Sequence, residues 1–205
     1  MSRPPFQAVD ASSGAAILPL TAPATRRLTL LHCLAALFSG ALATASCLAD
    51  EAASGERDQA VEQMLLSILS YVRWPREPEQ LALCVLGPTR YAGALLAQGE
   101  LRQASGRRIE VRRRELDDPE LVSQCDVAYL GELDAAQRQR MVERLAGHPV
   151  LSIDEENPQC SLGGMFCLVF DERRPSFLVN LDSVARSEVR VHPSVLNLGR
   201  RRGKP

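Results

Sequence analysis

The sequence predicts one α/β domain, built on a largely parallel sheet that is flanked by helices and closed by a C-terminal antiparallel hairpin. Two observations carry this prediction. Between residues 81 and 153, short apolar runs typical of buried strands alternate with helical patterns, and such alternation indicates a parallel sheet covered on both faces. After residue 156, two strand-like runs flank a short polar turn, which indicates a hairpin.

A leader precedes this domain. Residues 21–49 contain two arginines, an apolar run over 28–37 and an Ala-Thr-Ala segment, which is the order of a secretory signal peptide and its cleavage site. The run is too short to span a bilayer, so we expect no membrane span after cleavage. An uncleaved anchor and a lipoprotein cleavage at Cys47 are the alternatives. Residues 1–20 show no periodicity and stay an unassigned leader, and the mature domain is predicted over 50–205.

The first elements follow from hydrophobic spacing. Apolar residues recur three and four positions apart over residues 56–72, which predicts an amphipathic helix with one face in the core, ended by Pro75. The apolar run 81–86 stops at the Gly-Pro pair 87–88 and predicts a buried strand. A helical pattern over 91–97 follows it.

The middle of the chain repeats this order of strand and helix. A second strand begins at Ile109, and a third, over 125–130, again ends in glycine. Asp134 is suited to begin a helix that runs to Gly147, because an aspartate carboxylate accepts hydrogen bonds from the free N–H groups of a first turn. A fourth strand is predicted over 148–153.

The C-terminal part has a different pattern. Strand-like runs at 165–170 and 176–181 flank the polar segment 171–175, and this arrangement predicts the hairpin. Residues 182–186 are predicted to form one helical turn. The last segment, 189–199, alternates in polarity before its proline and has a helical pattern after it.

Four cysteines remain once the leader is removed, and an even number in an exported chain favours disulfides. Three pairings are open. The favoured one joins Cys84 to Cys125, because the first and third strands are neighbours in common doubly wound sheets, and Cys160 to Cys167, because two intervening glycines let the backbone turn sharply. A zinc site that includes His148 and a labile bridge that reports periplasmic redox state are the alternatives.

Few groups of the mature chain suit catalysis. The formal net charge of −1 at pH 7 gives no reason to expect a nucleic-acid partner. No Gly-x-Ser-x-Gly elbow occurs, and His148 and His192 are the remaining histidines. The turn at 87–90 lacks a glycine-rich nucleotide pattern, and the carboxylate pair 155–156 has a polar, turn-like context. We therefore predict no catalytic residue, no cofactor and no metal site, and hence not an enzyme.

The closing half of the chain resembles that of YfiR-like periplasmic proteins. From residue 163 it shows a Gly-Gly-Met core, a strand, a polar turn, a Phe-x-Val-Asn-Leu strand and a final Ser-x-Leu-x-Leu-x-Arg segment. The opening half, with Tyr-Val-Arg-Trp-Pro at 71–75 and Cys-Val-Leu-Gly at 84–87, is similar to the start of the same family. The resemblance covers nearly all of residues 50–205.

What the resemblance implies is regulation from the periplasm. A member of this family is expected to be a dimeric, non-enzymatic repressor whose disulfides support the repressing form. It would bind the periplasmic sensor domain of a YfiN-like inner-membrane diguanylate cyclase, and so lower cyclic di-GMP, exopolysaccharide production and biofilm formation. A YfiB-like outer-membrane lipoprotein would sequester the repressor and release the cyclase.

A protein of this kind acts through its surface, and aromatic and aliphatic residues anchor such surfaces. Phe166 alternates with Cys167, so one of the two is expected to face the core and the other a partner. Val191, Pro193 and Leu196 lie on a terminal segment that has little chain left to cover it. We predict that Phe166, Val191, Pro193 and Leu196 form part of a partner-binding patch; the alternative is that most of them belong to the core.

A small-molecule site is a second prediction. Arg190 and His192 are two positions apart, so they share the face of an extended segment opposite Val191. Together with Arg73 and Trp74, they are predicted to bind an anionic ligand; solvated charges are the alternative. The second functional hypothesis is therefore a periplasmic small-molecule-binding module.

Overall fold

The computed structural model of the chain describes residues 55–170 and 175–202. The predicted leader over 1–20 and the predicted signal peptide over 21–49 lie outside these residues. Residues 171–174, in the predicted hairpin turn, lie outside them as well.

The described elements alternate between strand and helix along most of the chain. The helices are α1 (residues 55–70), α2 (Gly93–Gln98), α3 (Leu121–Gln124), α4 (Ala135–Leu145), α5 (Leu181–Ala185) and α6 (Val195–Arg202). The strands are β1 (Val72–Arg73), β2 (Gln80–Leu86), β3 (Glu100–Arg102), β4 (Arg108–Arg114), β5 (Val127–Leu130), β6 (Leu151–Asp154), β7 (Phe166–Phe170), β8 (Pro175–Val179) and β9 (Arg190–Val191).

The main sheet has the strand order β3-β4-β2-β5-β6-β7-β8. Its inner strands β4, β2, β5, β6 and β7 run parallel to one another. The edge strands β3 and β8 are antiparallel to their neighbours, and β7 with β8 forms the C-terminal hairpin. The predicted fold class, a largely parallel sheet with helices and a C-terminal antiparallel pair, is confirmed.

Helices cover this sheet on both faces. On one face, Val61, Leu65 and Ile68 of α1 are fully buried in the larger of two apolar clusters. On the other face, Leu121 of α3 and Met141 of α4 pack in the second cluster against side chains of β2 and β5. Each fully buried aliphatic side chain contributes about 2 kcal/mol, so the spacing of three and four that predicts α1 also supplies much of its stability.

Asp134 begins α4, as the sequence predicts. Its carboxylate accepts a hydrogen bond from the backbone N–H of Gln137 at 2.7 Å, and the Gln137 side chain accepts one from the Asp134 N–H at 3.0 Å. This reciprocal arrangement satisfies two N–H groups that the helix leaves free. Arg138 follows Gln137 in this first turn. Its guanidinium lies 3.6 Å from the carboxylate of Asp154 at the end of β6.

A second, two-stranded sheet joins β1 to β9, and we call it the β1–β9 ribbon. Val72 lies opposite Val191 and Arg73 opposite Arg190 in antiparallel register. The predicted first helix extends to Val72, but α1 ends two residues earlier because Val72 enters the ribbon. Strands of two residues have no readable periodicity, so the sequence does not predict this ribbon. The short strand β3 is missed for the same reason.

Candidate functional site

The four cysteines form two disulfides, Cys84–Cys125 and Cys160–Cys167. This is the pairing that the sequence favours. Cys84 lies in β2, Cys125 stands just before the neighbouring strand β5, and both belong to the second apolar cluster. Cys160 and Cys167 close a short loop between β6 and β7, and we call residues 160–167 the disulfide-closed loop.

The side chains of Asn157 and Asp154 hold the disulfide-closed loop in place. The Asn157 carboxamide donates to the Asp154 carboxylate at 2.9 Å and to the Leu162 carbonyl at 2.7 Å. Its oxygen accepts from the Cys160 N–H at 3.2 Å. The backbone of Gly163 packs directly on this pair, since a Cβ there would lie 2.1 Å from Asp154 Oδ2. The loop is therefore fixed by a buried carboxylate as well as by its disulfide.

The carboxyl ends of the parallel strands are the usual ligand site of such a sheet, but here the chain fills that place itself. Glu155 follows β6 and is buried. Its carboxylate accepts hydrogen bonds from the Thr89 hydroxyl, from the Arg90 N–H at 2.5 Å and from the Tyr91 N–H at 3.0 Å. The N–H groups of the turn after β2, which a bound phosphate would use, are therefore already bonded to the Glu155 side chain. The polar context of Glu155 in the sequence conceals this role.

Three of the predicted partner-binding residues lie together at the C-terminus. Val191 in β9 is half-buried against the main core, Pro193 is exposed, and Leu196 in α6 is 40% exposed. The turn between β9 and α6 is tight: the Val195 N–H donates to the His192 carbonyl at 3.0 Å. Backbone pairing therefore holds these residues in fixed positions.

Phe166 requires a correction. It is fully buried in β7 and packs edge to face on Phe177, with ring centroids 5.6 Å apart. Its neighbour Cys167 is also fully buried, on the opposite face of the strand. Alternation does not separate core from surface here, because β7 lies inside the sheet, where both faces are covered. Phe166 is a core residue and cannot contact a partner from this position.

The structure exposes three large apolar side chains that the sequence reasoning missed: Leu162, Leu178 and Leu181 are 71%, 44% and 67% exposed. Leu181 is the first residue of α5, and the Asn180 side chain caps that helix by accepting from the Ser183 N–H at 3.1 Å. The sequence pattern places Leu181 at the end of a strand. The Asn-Leu-Asp-Ser order, with an amide three positions before a serine, is the signal that would have indicated a helix start.

The predicted ligand residues are only partly brought together. Arg73 and Arg190 are exposed and face each other across the β1–β9 ribbon. The exposed His192 ring lies 6.3 Å from the ring of Tyr71. Trp74 requires a correction, because it is only 5% exposed and its indole N–H donates to the Asp126 carbonyl at 3.2 Å. Trp74 is thus a core residue that has no free face for a ligand.

A groove of about 760 Å³ runs beside Arg73, between α1 and the turn that joins β3 to β4. Arg73 donates to the backbone carbonyls of Ser70 and Val72 at 3.1 and 2.8 Å, and Arg107 pairs with Glu77 at 2.7 Å. The other lining residues are mostly amides, hydroxyls and leucines, namely Gln63, Leu66, Ser67, Leu69, Gln103, Ala104 and Ser105. The size is that of a small-molecule pocket.

Within residues 55–170 and 175–202, no three His, Cys, Asp or Glu side chains are grouped so that they could hold a metal ion. None of the helices in that part of the chain is both long and apolar enough to cross a membrane.

These features define a class of protein: an α/β domain with two disulfides that keeps apolar side chains exposed in its C-terminal part, among them Leu181 and Leu196. Residues 58–200, more than half of the chain, match the family model described as YfiR/HmsC-like. The chain belongs to the YfiR/HmsC-like family, and the resemblance inferred from its motifs is confirmed. This family is regulatory rather than catalytic, and membership together with the two disulfides fits a periplasmic regulator of a diguanylate cyclase.

Proposed function

We propose that the chain is a periplasmic negative regulator that binds the periplasmic sensor domain of a YfiN-like inner-membrane diguanylate cyclase. The observation that carries the proposal is the exposure of Leu181 and Leu196, with Pro193 exposed and Val191 half-buried. We propose that these four residues form one interface, which we call the C-terminal surface. Apolar side chains on a rigid backbone lose little conformational entropy when a partner covers them, so more of the free energy of burying their surface is left for binding.

The rigidity of the C-terminal surface supports this role. The backbone of β9 is paired with β1, and the His192 N–H donates to the Tyr71 carbonyl at 2.9 Å. Val195, one residue before Leu196, is buried in the main core and holds the start of α6 in place. Leu181 is fixed by the cap of α5. A partner would therefore meet side chains that are already ordered.

Repression would act by population shift. A regulator that binds the inactive conformation of the sensor domain more tightly than the active one stabilises the inactive cyclase by that difference in affinity. The expected consequences are lower cyclic di-GMP and less exopolysaccharide and biofilm. A YfiB-like outer-membrane lipoprotein would relieve repression by sequestering the regulator. A homodimer would present two such surfaces to its partners.

The test is binding of the purified protein to the purified periplasmic domain of the cyclase. Leu181→Asp and Leu196→Asp should each weaken binding at least tenfold, about 1.4 kcal/mol or more, because a carboxylate would be buried against an apolar partner. The matched control is Leu162→Asp, which changes a more exposed leucine outside the C-terminal surface and should leave the affinity unchanged. In cells that retain the cyclase, the two surface variants should raise cyclic di-GMP towards the level of a deletion strain.

The proposal is wrong if deletion of the protein leaves cyclic di-GMP unchanged. The assignment of the C-terminal surface is wrong if both surface variants bind with the affinity of the parent, or if Leu162→Asp weakens binding as much as they do.

The groove beside Arg73 supports a second candidate function, the binding of a small anionic molecule. The Arg73 guanidinium borders the groove, and Arg190 stands across the β1–β9 ribbon from it. Inorganic phosphate and small carboxylates are suitable probes, and a ligand should raise the melting temperature with no protein partner present. Arg73→Ala should abolish that rise, whereas Arg57→Ala, an exposed change at the start of α1, should not. No rise with any probe would contradict this function.

A further inference from the structure

The disulfide-closed loop lies on a carboxylate that the proposed function does not use. Asp154 ends β6 and has no exposed surface. Its Oδ2 atom accepts hydrogen bonds from the Asn157 side chain and from the Gly164 N–H, both at 2.9 Å. Its Oδ1 atom faces Arg138 Nε of α4 at 3.6 Å. Two donors and a nearby guanidinium favour the ionised carboxylate, although burial raises the pKa of Asp154.

The two residues of the Cys160–Cys167 bond differ slightly in burial. Cys160 keeps 7% of its surface exposed, while Cys167 is fully buried. The Cys167 sulfur lies 3.9 Å from Asp154 Oδ2. Because Cys167 has no exposed surface, attack at the Cys160 sulfur requires less opening of the loop than attack at the Cys167 sulfur. The Cys167 sulfur is then the leaving group.

In that step the thiolate of the reductant forms a bond to Cys160 Sγ, and the electron pair of the Cys160–Cys167 bond passes to Cys167 Sγ. The result is a mixed disulfide and a new Cys167 thiolate. The second thiol of dithiothreitol then closes on the mixed disulfide and releases Cys160, so that the protein gains two electrons and two protons and the reductant becomes a cyclic disulfide. Negative charge thus develops on Cys167, whose sulfur lies 3.9 Å from Asp154 Oδ2.

We propose that the charge of Asp154 protects the Cys160–Cys167 disulfide from reduction. The carboxylate opposes the negative charge that forms on Cys167 and so slows the reaction. A thiol with a raised pKa is a poorer leaving group, and a like charge about 4 Å away raises a pKa strongly when solvent is excluded. The cysteines of the Cys84–Cys125 bond lie in the apolar second cluster. We therefore expect this protection at Cys160–Cys167 and not at Cys84–Cys125.

The experiment measures the rate at which each disulfide of the purified protein is reduced by dithiothreitol at pH 8.5, with acid quenching, thiol alkylation and peptide mass spectrometry. Asp154→Asn keeps the side-chain shape and removes the charge. It should accelerate reduction of Cys160–Cys167 by about tenfold or more, which is the size expected for one partly screened charge. Reduction of Cys84–Cys125 in the same molecules should keep its rate.

Two further variants separate charge from loop support. Asn157→Ala removes the carboxamide that shapes the loop but leaves the carboxylate, and Ser152→Ala removes the hydroxyl that accepts from the Met165 N–H at 3.1 Å. Each should change the rate by less than about threefold if the charge provides the protection. If Asp154→Asn has the parental rate, if it accelerates both disulfides equally, or if Asn157→Ala matches it, the proposal is overturned.

Arg138→Gln provides an independent test if Asp154→Asn does not fold. With the guanidinium removed, the field of the carboxylate at Cys167 is no longer offset, so reduction of Cys160–Cys167 should become slower, by about twofold. A faster reduction in this variant would overturn the proposal.

Discussion

The two disulfides stabilise the same domain in different ways. Cys84–Cys125 joins residues 41 positions apart and lies between two parallel strands in an apolar cluster. Cys160–Cys167 joins residues 7 positions apart and closes a loop over a buried carboxylate. The first connects distant parts of the chain, whereas the second reinforces a turn that polar side chains already shape.

The difference indicates what each bond protects. In the chain-entropy account, a crosslink stabilises by restricting the unfolded chain, and the effect grows with the length of the closed segment. The long crosslink is therefore mainly a brace of the whole sheet. The short one is mainly a local support for the start of β7, the first strand of the C-terminal hairpin.

The largest expected effect comes from removing the long crosslink. Cys84→Ala with Cys125→Ala should lower the free energy of unfolding by about 4 kcal/mol, because the unfolded chain regains the freedom of a loop of some 40 residues. Urea unfolding measures this. A loss smaller than that caused by removing the short crosslink would contradict the comparison.

Removing the short crosslink should cost less. Cys160→Ala with Cys167→Ala should lower the free energy of unfolding by about 2.5 kcal/mol, since the closed segment is short and the Asn157 network still shapes the turn. The same urea titration measures it, with hydrogen exchange at Gly164 and Met165 as a local readout. If amide hydrogen exchange instead becomes faster throughout the sheet, the short disulfide stabilises the whole domain as well as the loop.

The sequence predicts most of the fold because its signals are local and repeated. Helical spacing identifies α1, alternating runs and glycines identify β2 and β5, and Asp134 marks the start of α4. The pairing of Cys84 with Cys125 follows from the expected adjacency of the first and third strands. These inferences need only a short window of the chain and general rules of sheet order.

The rest depends on packing between distant segments. Trp74 has exposed neighbours in the chain, and the alternation around Phe166 does not show whether one or both faces of β7 are covered. Glu155 is a charged residue in a polar stretch, yet it is buried because the N–H groups of Arg90 and Tyr91, some 65 positions earlier in the chain, meet its carboxylate. The exposure of Leu181 follows from a cap at Asn180, which a strand pattern conceals.

A methyl group at Gly163 tests how closely the loop packs on its carboxylate. Gly163→Ala should lower the free energy of unfolding by about 2 kcal/mol, because the new Cβ would meet Asp154 Oδ2 at 2.1 Å and Asn157 Nδ2 at 2.2 Å. The matched control is Gly55→Ala, where a Cβ would meet nothing within 4 Å and the substitution should not destabilise. Equal effects of the two changes on the urea midpoint would remove the argument for close packing.

The smallest expected effect is the pH dependence of stability that comes from two aspartates, one near each disulfide. Asp126, next to Cys125, is half-buried and accepts from the Ala82 N–H at 2.8 Å, whereas Asp154 is fully buried. Burial raises the pKa of both groups above the ordinary value of 3.8. A raised folded-state pKa means that the folded protein binds the proton more tightly than the unfolded chain, so the stability from this source is present below the unfolded pKa and is lost as the pH rises through the folded pKa.

Between pH 3.5 and 7, Asp154→Asn should therefore gain stability relative to the parent as the pH rises, because the parent alone must ionise a buried carboxyl. Asp126→Asn should show the same sign with a smaller slope, since its carboxylate keeps more contact with water. Urea unfolding at several pH values measures both slopes. The opposite sign for Asp154 would mean that Arg138 and the two N–H donors outweigh burial, and the polar loop would then stabilise the fold through the charge itself. If the free energy of unfolding depends on pH equally in the two variants, solvent reaches Asp154 as readily as Asp126. The surroundings of the short disulfide would then exclude water no better than those of the long one.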